Sequence, residues 1–344
     1  MTNTIMRKVL ILCLSLFVAH RIYSQSCCSG GSGSPIAGGT NQGVLQEKQM
    51  ELSLNYQYLG TDRFKAGDVD TAKLFNYLYS HYLYGRLAYG LSDKLTLSIE
   101  SGYFITKTEI ALHKKDTISS KGIGDLIIFP RYNAYSRNTE LTRTEITLGL
   151  GYKIPLGKYN DSNMVYQNPY TLKKYYTTNP PTVQPTTGSQ DFIFYGFLYR
   201  GWVEPKFRVF ANLLYIKKGW NPLGQKFGDF ASIGIFAGKT FFKRWGVTLQ
   251  VRGEWIDKMK YDHNIDMLAL YNIDVNSTGS RKVFFVPQLS YSHKNFTVYA
   301  LSEIPLYQYV NRVQAVSYYN VIGGISYRFF VRGLSNNENT GNNQ

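Results

Sequence analysis

Cysteine is scarce: only Cys13, Cys27 and Cys28 occur in 344 residues. Cys27 and Cys28 are adjacent and cannot tie distant parts of a fold together, so a disulfide framework is excluded. Long hydrophobic runs are also missing. The best, Val9 to Ala19, is too short to cross a bilayer comfortably as a helix, and no later stretch offers a transmembrane helix. Acids are outnumbered, 23 against 38 Lys and Arg, for a formal charge of +15. Histidine is rarer still, at five. His113 near Asp116, and His263 with Asp262 and Asp266, sit in predicted loops and read as solvated residues. The acids Asp257, Asp262, Asp266 and Asp274 lack calcium-loop spacing. We therefore expect no enzyme and no cofactor.

What is present is tyrosine, phenylalanine and glycine: 29, 20 and 31 residues. Aromatics and glycine at this load suit strands, their interface girdles and their tight bends. Arg7 and Lys8 precede the Val9–Ala19 run, and Ser24, Gln25 and Ser26 follow it, which is the layout of a cleaved export signal. Removing Arg7, Lys8 and Arg21 takes the charge from +15 to +12. Export, and the lack of a basic motif, argue against a nucleic-acid partner. A lumen favouring anions, or a surface facing lipopolysaccharide, accounts better for the charge.

The organisation expected is a signal peptide over 1–25, a flexible Gly/Ser leader with the cysteine pair over 26–47, a barrel over 48–331 and a polar tail over 332–344. Three fates of the pair stay open. Lipid modification of Cys27 wants an apolar residue where Ser24 stands. Cys27 and Cys28 together could hold a soft metal, although no His or further Cys is near. An unmodified pair in a flexible leader is the third.

From Lys48 the chain alternates. Met50, Leu52, Leu54, Tyr56 and Tyr58 face one way, and Glu51, Ser53, Asn55 and Gln57 the other, a strand with one apolar face. Eleven more candidate strands follow: 78–91, 94–107, 122–136, 142–155, 190–201, 205–217, 229–241, 245–257, 282–293, 295–305 and 318–330. The connections alternate short and long, and the strand number is even. That rhythm predicts an all-β fold: a single antiparallel transmembrane β-barrel of about twelve strands, with short periplasmic turns and long outer loops, in the outer membrane of a Gram-negative bacterium. The longest loop, 156–189, is rich in Tyr and is expected to fold partly over the mouth.

If the apolar face of each strand meets lipid, the other face collects Glu51, Arg86, Glu100, Asp125, Arg131, Lys153, Arg208, Arg252, Glu254 and Arg328, with Arg200 as a further candidate. Charges are costly on the lipid face at mid-depth, so one lumen gathers them. Two roles fit: a salt-bridged plug that stiffens the wall, or a polar conduit leaning cationic. Lys218 falls in a predicted outer loop. Asp125 and Arg131, six residues apart on one strand, lie about 20 Å apart and must find partners on neighbouring strands.

Several stretches resemble known families. The run YYNVIGGISYRFF at 318–330 is similar to the last strand of outer-membrane barrels, which implies that Gly324, Tyr327 and Phe329 are read by the barrel-assembly machinery. GRLAYGLSDKLTLSIESGYF at 85–104, KGIGDLIIFPRYNAY at 121–135 and LGLGYKIPLGKY at 148–159 together resemble the transporter-like outer-membrane barrels named after the meta-cleavage pathway of phenol degradation. The serine-then-glutamine cleavage region and the Asn/Tyr-rich loops resemble Bacteroidetes-type proteins. This resemblance implies uptake of a small solute, hydrophobic or aromatic; the basic lumen adds the option of an anion. The partners expected are outer-membrane lipid, lipopolysaccharide, the assembly machinery and that solute. The alternative is a non-transporting barrel used for surface attachment through its long Tyr-rich loops.

Overall fold

The structure, a computed structural model, describes residues 43–113, 117–267 and 273–331. The predicted signal peptide, most of the leader with Cys27 and Cys28, and the tail from 332 lie outside the described residues. Twelve long strands form one closed antiparallel sheet. They are β1 (Gln49–Thr61), β2 (Tyr77–Ser92), β3 (Leu95–Ile110), β4 (Ile118–Asn138), β5 (Thr142–Pro155), β6 (Asp191–Trp202), β7 (Phe207–Lys217), β8 (Phe230–Phe241), β9 (Trp245–Ile256), β10 (Ser280–His293), β11 (Phe296–Ser302, resuming as Ile304–Ala315 after Glu303) and β12 (Tyr319–Phe330). Each pairs with the next, and β12 returns to β1 with Arg328 opposite Glu51 and Tyr319 opposite Gly60. Closure leaves no free edge, which is how a sheet can satisfy its backbone inside hydrocarbon. Among the described residues no helix is long and apolar enough to cross a membrane.

The expected strands coincide with these twelve, and the differences lie at the outer end. Loops were expected at 108–121 and 306–317. Instead β3 runs to Ile110, β4 starts at Ile118, and β11 continues to Ala315. A bilayer needs only about 9–11 residues of strand, so the 21-residue β4 carries the wall well beyond it. Short ribbons decorate the outer loops: Phe64–Gly67 with Val69–Asp70, Ser162–Gln167 with Lys174–Thr178, and Gln225–Lys226 with Lys260–Tyr261.

The outside is apolar by alternation. Leu52, Leu54, Ile99, Leu148, Leu150, Phe194, Leu213, Ile233, Ile235 and Val251 are exposed side chains on strand faces. Aromatic rims bound this belt. At the outer rim Tyr58 and Tyr79 pack against the His81 ring, the latter edge to face, and the Tyr56 hydroxyl meets that ring at 2.5 Å. At the other rim Tyr327 stacks on Phe329 and packs against Phe296, and Trp245 packs against Tyr291. Two aromatic girdles around an apolar band are the marks of a transmembrane barrel.

Candidate functional site: the lumen and its outer mouth

The period-2 face that avoids lipid brings charges together in three groups. Toward the chain ends, Glu51 on β1 is 2% exposed and accepts from both Arg86 on β2 and Arg328 on β12. Glu100 on β3 accepts from Tyr84 and, at 2.9 Å, from Ser98. Arg131 on β4, buried, lies in electrostatic range of Glu100, Arg86 and Glu51.

The second group stands at the outer end of β4, β5 and β6. Lys153 bridges Asp125 at 3.3 Å and Asp191 at 2.8 Å, and Lys218 reaches Asp191 at 3.0 Å. The third spans β9 and the break in β11: Arg252 pairs with Glu254 at 2.8 Å and with Glu303 at 2.7 Å, while Asn320 donates to Glu303 at 2.7 Å and accepts from Gln57 at 2.8 Å. Opposite charges a few ångströms apart offset the desolvation each would suffer alone. Asp125 and Arg131 join different groups.

By strand parity the ten predicted residues share a face with the buried positions of their strands. Arg208 has no carboxylate partner among the described residues and rests on Gly238 and Gly246, where a Cβ would come within 2.9 and 3.4 Å of its guanidinium. Arg200 is a correction. It shares the exposed face of β6 with Phe192, Phe194 and Leu198, and its guanidinium lies 5.6 Å from the Trp202 ring at the periplasmic rim. Strand parity puts it outside, and the rim lets its head reach water. Lys218 lies in the outer loop after β7, as expected. It is no solvated loop lysine, since its side chain is 11% exposed and held by Asp191.

Part of the lumen is not polar. Ile127, Phe129, Ile193, Tyr195, Phe197, Phe210, Leu214 and Phe236 form one buried cluster on the inner faces of β4, β6, β7 and β8. Phe210 and Phe236 stack at 4.3 Å. Glycines make room for it: a Cβ at Gly149 or Gly151 would come within 2.9 or 2.8 Å of the Phe129 ring, which explains the LGLGY run of β5. Gly102 serves the Tyr82 ring in the same way.

The long loop enters the barrel with its last residues, not with the tyrosines of its ribbon. Residues 183–189 are all buried. Thr186 donates to Asp125, Lys153 donates to Thr187 at 2.8 Å, and Ser189 donates to Asp191 at 2.8 Å. Lys107 on β3 holds the Gln184 carbonyl at 2.9 Å, and Val183 packs with Phe64, Phe75, Leu78 and Ala315. This strap ties both sides of the mouth together. Tyr166, Tyr170, Tyr175 and Tyr176 stay outside on the ribbon at 162–178, where Tyr170 is 93% exposed, while Tyr159 packs against Gly188 of the strap. Above the strap lies a chamber of about 1190 Å³ bounded by the outer loops. At the other end residues 43–47 pack into the wall. Leu45 donates its N–H to Thr96 at 2.7 Å, and Gly43 lies against Glu145, Thr147 and Phe197. A side chain at Gly90 would strike the Gln46 carbonyl.

Asp191, Glu303, Lys282, Glu145 and Lys218 are inward or buried charges that sequence reasoning passed over. Asp191 shares the inward face of β6 with Ile193, but parity alone could not choose that face, because Phe192 and Phe194 make the other face equally apolar. Among the described residues no group of His, Cys, Asp and Glu could hold a metal ion.

A closed twelve-stranded sheet with an apolar belt, two aromatic girdles and a charged, partly aromatic interior defines an outer-membrane β-barrel. The chain overlays an outer membrane channel from Pseudomonas putida F1 with a TM-score of 0.66 at 12% identity, covering 85% of this chain and 99% of that one. More distant overlays include the KdgM porin (TM-score 0.39, 10% identity, 80% and 99% covered) and a mutant of the TodX monoaromatic hydrocarbon channel (0.42, 11%, 84% and 91%). No protein-family model matches the chain, and no curated protein matches it in sequence.

Proposed function

We propose that the chain is a non-catalytic channel for a small solute in the outer membrane, with the 182–189 strap as its outer constriction. The observation that carries this is the inner aromatic wall. Phe129, Tyr195, Phe197, Phe210 and Phe236 point into a barrel whose outside is already apolar, while Glu51, Arg86, Glu100 and Arg131 lie on the inner faces of the consecutive strands β1 to β4. A lumen with apolar and ionic sectors side by side accommodates an amphipathic solute in transit. The channel whose fold it shares supports the same reading, as does the resemblance of 85–159 to the barrels of the phenol meta-pathway and of the loops to Bacteroidetes-type proteins. Lipopolysaccharide against the basic outer loops and the assembly machinery at Tyr327 and Phe329 complete the proposed partners.

Solute-induced swelling of proteoliposomes tests the reading: swelling that depends on the folded barrel supports it. The second reading, surface attachment, rests on the exposed ribbon at 162–178. Loss of cell-surface binding on deleting that ribbon, from a barrel that never conducts, would favour it.

A further inference from the structure

The chamber above the strap has a chemical bias that the rest of this basic chain does not share. Its walls are apolar: Phe64 and Phe75, edge to face at 4.6 Å, with Phe227 and Met259. Its polar lining mixes hydroxyls and amides, such as Thr178, Asn163 and Gln314, with carboxylates. Glu109 and Asp257 face it, and among the described lining residues there is no Lys, Arg or His. Asp274 also lines it but is satisfied by Arg312 at 3.0 Å and by Ser277 at 2.8 Å.

The sharpest feature is Asn179, 4% exposed, whose Oδ1 has no hydrogen-bond partner. Which way its amide points follows from its neighbours. Ser120 donates its only hydroxyl proton to Asp161 at 3.1 Å, so its oxygen can only accept. Asn179 must then offer Nδ2 to Ser120, at 3.3 Å, and is left with a bare carbonyl oxygen in the chamber wall. A buried acceptor without a donor is costly, and a ligand that brings one recovers that cost.

From the carboxylates of Glu109 and Asp257 with no cation among the described lining residues, the unpartnered Asn179 Oδ1 and the aromatic walls, we infer that the chamber binds an organic ammonium with an apolar body. The N–H donors meet Glu109 and Asn179 Oδ1, and the body lies against Phe64 and Phe75, whose ring faces also favour a cation. The site names a solute class for the proposed channel but stands whether or not the lumen conducts.

The test uses the full-length protein in detergent at pH 7 and three probes of one shape: 2-phenylethylammonium, 2-phenylethanol and 3-phenylpropionate, with binding read by ligand-observed NMR. The ammonium should bind about tenfold or more tighter than the alcohol, with the carboxylate weakest. Glu109→Gln should remove most of that advantage while leaving the alcohol unchanged, and Asn179→Leu should lower ammonium binding. In the parent protein, where folding is not in question, added salt should weaken the ammonium and spare the alcohol.

Equal binding of ammonium and alcohol, tightest binding of the carboxylate, or displacement of the ammonium by millimolar calcium overturns the inference. Flux of the same probes into proteoliposomes separates it from the channel reading. Binding without flux sinks the channel and keeps the site; flux without ammonium preference in binding does the reverse.

Discussion

Lys153 and Asp191 pair at 2.8 Å across β5 and β6, and the same lysine holds Thr187 of the strap at 2.8 Å. Wall and strap are therefore secured by one ammonium group. Replacing it with methionine leaves Asp125 without that cation and Asp191 with Lys218 alone. Lys153→Met should destabilise the barrel by about 3 kcal/mol, the low end for a broken buried pair because Lys218 remains. The folded, fast-migrating band in gel electrophoresis should be lost at lower temperature, and protease should cut within 182–189.

Gly151 lies under Phe129 and against Ile193. A valine there overfills the wall, and Gly151→Val should cost about 1–3 kcal/mol. Phe129→Ala should recover part of that loss, and urea titrations of the two single variants and the double variant measure the coupling. Purely additive costs would show that the ring does not rest on this glycine.

Arg131 is 3% exposed and inward, whereas Lys174 lies exposed on the outer ribbon. Arg131→Ala should lower resistance to heat unfolding or alter conductance, and Lys174→Ala should do neither. Identical melting and conductance in both would mean that the charge ladder of the lumen carries no weight.

Asp274, in the loop after β9, accepts from the Ser277 hydroxyl and the Asn276 N–H and lies beside Arg312, which together hold its carboxyl below the ordinary carboxylate value. A lowered folded value means its contribution is present above the unfolded pKa, about 3.9, and is lost as pH falls through the folded one. Limited proteolysis of the 257–279 loop by an acid-active protease should therefore rise below about pH 4. In Asp274→Asn, cleavage should be faster than in the parent above that pH, converge with it below, and lack the acid step.

Much of this was legible in the chain. On β1 the alternation of Leu52, Leu54 and Tyr56 with Glu51, Asn55 and Gln57 states both the strand and its facing, since only one side is apolar. On β6 the rule has nothing to hold: Phe192 and Phe194 face out, Ile193, Tyr195 and Phe197 face in, and hydropathy cannot tell lipid from a lumen wall. Arg200 was misplaced for the same reason. The strap is invisible for another. Gln184 to Ser189 is a polar run that would normally be solvated, and it is buried because Asp125, Lys153 and Asp191 supply its hydrogen bonds. Only the closed barrel brings those partners to it.

The central claim is that this barrel is a channel narrowed by its own loop. Single-channel recording in planar bilayers tests it most directly, comparing the parent with a chain in which 182–189 is replaced by a short Gly/Ser linker. The parent should show small, interrupted currents and the strapless chain larger, steadier ones. Two correctly folded barrels that pass no current at any voltage would contradict the account.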